Sequence, residues 1–263
     1  MRGLFREEGG VGVSLLERIR ESCLERLARG GGISVPWDEP VDAVVLGTAA
    51  ALGTTPDRLD FPLKRGKEWL LEAHLGGDLG QAFTGVPSPW RGTLRELFAL
   101  SLEEDRNRAL FLAGMNALGC RLGFASATKH CRDDEPEECA REMGRRLAER
   151  LAPDEGVLLV GYQPAILEAA SEALGAERVS VLDLNPENIG RVVRGVEIRD
   201  GATGRLPSAC GMALVTGSSL CNGTAEEVFA GLERAGIPKI LFGTTAAAAA
   251  ELMNWERWCF RAV

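Results

Sequence analysis

Four short apolar runs in the second half of the chain constrain its fold more than any other feature: Val157–Val160, Val179–Leu182, Met212–Val215 and Ile240–Phe242. Segments with helical spacing, Pro164–Leu174, Ala225–Ala235 and Thr245–Met253, separate or follow them. Strands alternating with helices of this length imply a parallel sheet with right-handed crossovers. Only the interval 187–209 lacks a helical pattern. Ahead of these runs stands an acidic segment, Asp133-Asp134-Glu135-Pro136-Glu137-Glu138. It suits a helix N-terminus, where carboxylates meet the positive end of the dipole. That helix is expected to reach Leu151, with Arg145, Arg146 and Arg150 toward its negative end.

The first half alternates less regularly. Ser14 and Glu17 have capping-box spacing, in which a hydroxyl and a carboxylate satisfy two orphan N–H groups. Leu15, Leu16, Ile19, Cys23 and Leu27 then follow a helical stripe, which Gly30–Gly32 end. Residues 41–54 read as β-rich from Val41 to Leu46, with glycines that bend the segment. Residues 69–84 begin strand-like or weakly helical and turn glycine-rich. Thr93 with Glu96 and Ser101 with Glu104 repeat the capping-box spacing, and the second introduces a helix through Arg108, Leu110, Phe111, Met115 and Leu118. The expected fold is therefore α/β: a small α+β N-terminal domain, 1–130, followed by a parallel α/β domain, 131–263.

Composition narrows the function classes. With 38 acidic and 30 basic residues among 263, the formal net charge is −8. Phosphate backbones demand a basic face, so nucleic acid is not expected as a partner. MRGLFREEGGVG has no apolar signal core, and no run approaches the ~18 apolar residues of a membrane span, so a cytoplasmic protein without a membrane partner is expected. Its seven cysteines, none in a CxxC pair, are then expected as reduced thiols, most of them small buried hydrophobes. Glycine is in excess, 32 residues or about 12% against a usual ~7%. Much of that excess falls at expected strand ends and helix starts.

In an open parallel sheet, ligands gather beyond the carboxyl ends of the strands. Those ends supply Gly161, Tyr162 and Gln163, then Asp183, then Thr216, Gly217, Ser218, Ser219, Asn222, Gly223 and Thr224, and finally Gly243, Thr244 and Thr245. The third group is small, polar and followed at once by a helix that Thr224 and Glu227 can cap. Backbone N–H groups freed by glycines there make an anion site, unless Asn222 and Thr224 serve only as caps. Tyr162 is the chain's single tyrosine and falls at the ligand edge. Asp183 stands where a ribose-binding carboxylate sits in nucleotide-binding sheets, or else it caps the next turn. No GxGxxG, Walker, GxSxG or HExxH sequence is present. His130 and Cys131 with Cys139 form the one His/Cys cluster, whose spacing matches no structural zinc pattern. Soft thiolates there would take a transition metal; otherwise they are reduced loop cysteines beside a solvated histidine. His74, just before Gly76 and Gly77, faces either a cleft or water.

The segment VTGSSLCNGTAEEVF, a strand followed by T-G-x-[ST]-L-x-N-G-T and an acidic amphipathic helix, resembles the putative heavy-metal chelation family of bacterial and archaeal proteins. VLLVGYQPAI, LDLNP, NALG at Asn116–Gly119 and GQAFT at Gly80–Thr84 agree more loosely. The resemblance maps onto Thr216, Gly217, Leu220, Asn222, Gly223 and Thr224. It implies an enolase-N-terminal-like domain, a Rossmann-like domain and a cleft between them. Three functions remain open: binding of a metal, or of a metal-containing or anionic small molecule, in that cleft; an enzyme acting on a nucleotide- or pterin-like compound; or a scaffold whose polar loops only cap helices. A homo-oligomer is compatible with each.

Overall fold

The computed structural model describes residues 13–29, 37–53, 68–203, 206–207 and 209–263. The amino-terminal MRGLFREEGGVG and the helix-ending Gly30–Gly32 lie outside them.

Helix α1 (Leu15–Arg29) begins where expected, with Ser14 Oγ accepting the Glu17 N–H at 3.3 Å. Strands β1 (Pro40–Leu46), β2 (Trp69–Leu75), β3 (Asp78–Thr84) and β4 (Trp90–Thr93) form an antiparallel sheet in the order β3-β2-β1-β4. The β stretch expected from Val41 to Leu46 is strand β1. Helix α2 (Thr48–Leu52) follows, because three consecutive alanines favour helix between Gly47 and Gly53; Thr54 lies outside the described residues. The 69–84 segment is a β-hairpin, turned at Gly76 with φ +60°. Thr93 and Glu96 complete their capping box ahead of α3 (Leu94–Phe98). Ser101 does not cap the next helix. Helix α4 (Asp105–Arg121) takes Glu104 as its N-cap, and Ser101 Oγ accepts only the Glu103 N–H, at 3.4 Å.

Helix α4 is buried on every side from Ala109 to Gly119, with the sheet strands β2 and β3 against one face. A helix apolar all round belongs in the middle of a core. Gly80 permits that approach, since a Cβ there would lie 2.2 Å from Ala117 N and 2.3 Å from Ala113 O.

The second half contains α5 (Glu135–Arg150), β5 (Gly156–Val160), α6 (Pro164–Leu174), β6 (Val179–Asp183), β7 (Val192–Val193) and β8 (Val196–Asp200). It continues with β9 (Cys210–Thr216), α7 (Ser218–Cys221), α8 (Ala225–Arg234), β10 (Lys239–Phe242), α9 (Ala247–Met253) and β11 (Arg257–Trp258). All four apolar runs are strands. The interval 187–209 holds β7 and β8, hairpin-linked through Arg194 (φ 52°) and Gly195 (φ 81°), which is the backbone of a type I′ turn. The parallel step from β6 to β8 thus proceeds without a helix. Thr245 belongs to a 3₁₀ turn, Thr244–Ala246, and α9 starts after it.

The sheet order is β11-β10-β9-β5-β6-β8-β7, parallel throughout except for β7. Strand alternation sorts its side chains. Val157, Leu159, Met212 and Leu214 face one core with α5 and α6, whereas Leu158, Val160, Ala213 and Val215 join the core that holds α1, α4 and α9. The chain is an α/β protein. Among the described residues no helix is long and apolar enough to cross a membrane.

Candidate functional site

Sheet order reverses direction between β5 and β9, and a crevice opens beyond their carboxyl ends, as it must where neighbouring crossovers run to opposite sides. The cleft there has a volume of about 520 Å³. Every strand-end residue singled out from the sequence lines it except Gly223 and Thr244. Gly223 (φ +76°) instead packs against the Arg108 guanidinium, and Thr244 is fully buried. Leu52, Glu68, Phe83, Thr84, Gly85 and Asp105 from the first half also line it.

The backbone at this edge is held by its own side chains. Asp183 Oδ2 accepts the Tyr162 N–H at 2.6 Å, while Oδ1 accepts the Asn185 N–H at 2.7 Å and Asn188 Nδ2 at 3.3 Å. One carboxylate therefore joins the loops after β5 and β6, and it caps a turn while lining the cleft. Gln163 Oε1 caps the Ile166 N–H at 2.8 Å, with Pro164 at the first helical position of α6. Thr216 Oγ1 and Ser218 Oγ are 2.9 Å apart, and Ser219 Oγ donates to the Thr216 carbonyl at 2.7 Å. Thr245 Oγ1 accepts the Phe83 N–H at 2.9 Å and so fastens β3 to the sheet edge.

The expected cap on α8 is absent. Thr224 occupies the N-cap in the αR conformation, with no side-chain cap bond. Its hydroxyl donates to Asn222 Oδ1 at 2.7 Å, an acceptor that also takes the Thr224 N–H at 3.1 Å. Asn222 thereby closes an Asx turn, and that local bond wins over the helix end.

Two lining carboxylates escaped the sequence reading, Glu68 and Asp105. Glu68 directly precedes β2, and no motif or spacing signals it. Burial, and then the neighbouring Asp183 charge, push its carboxyl up to about 7. Asp105 pairs with Arg108, whose Nη1 also reaches the Leu102 and Glu103 carbonyls and whose Nε donates to Cys221 O at 2.8 Å. Among the described residues, no lysine or arginine lines the cleft.

His130, Cys131 and Cys139 do come to the same wall, joined by Cys259. Burial pulls the His130 imidazole down to about 4, so it is neutral at pH 7. Burial likewise raises the Cys131 and Cys139 thiols, and lifts Cys259 to about 11. His130 packs edge-on against Phe83 at 5.0 Å, and its Nδ1 is buried without a partner. Cys139 Sγ accepts the Phe260 N–H at 3.4 Å. Metal-binding thiols must lose their protons, and these hold them. Among the described residues, no group of three His, Cys, Asp or Glu side chains is arranged to hold a metal ion. The donor set does not fit a bare soft cation. His74 does not line the cleft and sits 3.1 Å from Glu72 Oε1, whose partner oxygen takes Gln81 Nε2 at 2.6 Å.

No curated protein matches the chain. The resemblance carried by the NGT segment is borne out by a family model: residues 146–255 match the family described as "Putative heavy-metal chelation".

Proposed function

We propose that this protein binds a small molecule, metal-bearing where the family's name applies, in the cleft at the carboxyl edge of its parallel sheet. The observation that carries the proposal is the cleft itself, formed where sheet order reverses and lined from both halves of the chain. Counted from β5, the six parallel strands stand in the order 3-2-1-4-5-6, which supports a Rossmann-like domain over 131–263. The antiparallel sheet lies wholly before residue 130, which supports a separate α+β unit there, of the enolase-N-terminal-like kind. Since no described trio of side chains suits a bare ion, metal would arrive as part of a complex whose other donors the ligand supplies. The setting we assign is the cytoplasm.

Isothermal titration of the full chain against Zn, Ni, Co, Cu(I) and molybdate, each alone and with small chelators, tests the metal side. Elemental analysis of the protein as purified accompanies it. Binding of the complexes in preference to the free ions is the expected result. Silence across the whole set, with no metal in the isolated protein, removes the proposal. A second reading, an enzyme acting on a nucleotide- or pterin-like compound, is favoured by one observation: Glu68 is held near neutrality, where a general acid–base group is most useful. A thermal-shift response to nucleosides or pterins, lost in Asn222→Ala and indifferent to metals, would select it.

A further inference from the structure

Helix α7 is a single turn of four residues, and the Asn222–Thr224 loop follows it directly. One turn fixes several residues for one hydrogen bond and does not persist unaided. Its support includes a side chain from the first half of the chain, Arg108, which is 11% exposed. Arg108 Nε donates to the Cys221 carbonyl at 2.8 Å, one of those that a helix end leaves without an intrahelical partner. Gly223 lies against the same guanidinium. Its φ is +76°, and a Cβ there would lie 3.2 Å from Arg108 Nη2 and 3.3 Å from Cζ. Glycine suits this position twice over, because it turns left-handed at no cost and lets the backbone rest on the arginine. The residues on either side of it, Asn222 and Thr224, line the cleft.

The guanidinium is itself fixed by its own segment. Nη1 donates to the Leu102 and Glu103 carbonyls at 2.9 and 2.7 Å, and Nη2 donates to Asp105 Oδ1. All three acceptors lie at or just before the start of α4, the helix that carries Arg108. A planar fork with three donors held in this way has a set orientation, and that orientation aims Nε at Cys221. Asp105 supplies the charge-assisted contact of the three. It also lines the cleft, as Cys221 does. Two parts of the wall, one from each half of the chain, are therefore joined through a single side chain.

We infer that Arg108 is a positioning residue for the cleft: it sets the Asn222–Thr224 loop from the first half of the chain and makes the order of that loop depend on Asp105. Gly223 serves the loop by resting on Arg108, and its two neighbours face the ligand space. The consequence for binding rests on the cleft being a small-molecule site, as proposed above. A ligand group that engages Asp105 and one that engages Asn222 or Thr224 are then energetically coupled, with Arg108 as the link.

Amide hydrogen exchange of the full chain, read by mass spectrometry on peptides covering 217–225, tests the link in the parent, Asp105→Asn, Arg108→Lys and the double variant. Lysine keeps the charge and loses the fork. Each single variant is expected to speed exchange in 217–225 by about ten-fold, while the amides of β5 and β9 change only as far as the urea midpoint does. The double variant should be no faster than the faster single, because both substitutions cut one connection. Gly223→Ala enters the same connection from the loop side. Combined with Asp105→Asn it should again fall short of additivity, which keeps the test open if Arg108→Lys does not fold. Parent-like exchange of 217–225 in Asp105→Asn overturns the inference, as do effects that simply add. A uniform rise across all amides, tracking the midpoint, also overturns it, since that is what a purely structural arginine gives. These measurements need no ligand. Silence in the titrations and thermal shifts above removes the proposed function and leaves the link, whereas an undisturbed loop removes the link and leaves the cleft.

Discussion

Asn116 Oδ1 accepts the Ala248 N–H at 2.8 Å, and through that bond the buried central helix fixes the start of the last one. Its Nδ2 lies 2.9, 3.0 and 3.2 Å from the carbonyls of Gln81, Thr244 and Thr245. Two hydrogens serve three acceptors, so one of them is shared. A single fully buried amide thus joins β3, α4 and the turn after β10, the turn whose Thr245 lines the cleft.

Replacing this amide by an apolar group of similar volume strands several buried backbone groups. Asn116→Leu is expected to lower stability by about 2–4 kcal/mol, because each unpaired polar group keeps its desolvation cost. A urea midpoint that falls with an unchanged slope checks this.

The packing of β3 on α4 makes a second prediction. At Gly80 a Cβ would meet backbone atoms of Ala113 and Ala117, which cannot swing aside as a side chain could. At Gly77, two residues past the end of β2, the same Cβ would meet nothing within 4 Å. Gly80→Ala should cost about 2 kcal/mol or more through forced separation of sheet and helix, while Gly77→Ala should stay within about 0.5 kcal/mol of the parent. Thermal midpoints of the two variants, measured side by side, decide it.

Much of the parallel sheet was legible in the sequence because its strands are buried on both faces and read as unbroken apolar runs. The strand ends then place the candidate site without further information, and the loops after β5, β6, β9 and β10 do meet at one cleft. What escaped was set by neighbours distant in sequence. Glu68 matters only because the fold carries it to Asp183, and Asn116 only because β3 and α9 flank its helix. The β7–β8 hairpin carries no Asn-Gly or Asp-Gly turn signal; Arg194 and Gly195 supply the positive φ angles instead. Thr224 failed as a cap because Asn222 lies closer to its hydroxyl than sequence spacing alone reveals. The glycines that bend the chain after Leu46 bound a short helix, Thr48–Leu52, which is too short to show a periodic apolar stripe.

His130 gives the protein an acid-sensitive element. Burial holds its imidazole neutral down to about pH 4, below the ordinary value of 6.5. The unfolded chain therefore takes up the proton first, so stability is complete above pH 6.5 and is lost as pH falls toward 4. His130→Asn should abolish that slope. The expected difference between variant and parent changes by no more than about 3 kcal/mol between pH 7 and pH 4.5, read from urea midpoints at the two values.

Glu68 tilts stability the other way. Its carboxyl keeps a proton up to about pH 7 in the folded chain, against an ordinary value of 4.5. Between these values the folded state holds more protons than the unfolded one, so this contribution is complete below pH 4.5 and is lost as pH rises through 7. Glu68→Gln, which is neutral at every pH, should match the parent near pH 4.5 and exceed its stability by roughly 1–3 kcal/mol at pH 8. Because the His130 and Glu68 slopes oppose each other between pH 4.5 and 6.5, their two contributions to the parent's stability profile should largely cancel there. The two single variants should tilt it in opposite directions, Glu68→Gln rising with pH and His130→Asn falling. Urea midpoints at half-unit steps across that interval check the signs, and two variants that tilt the same way would refute this assignment of the pair.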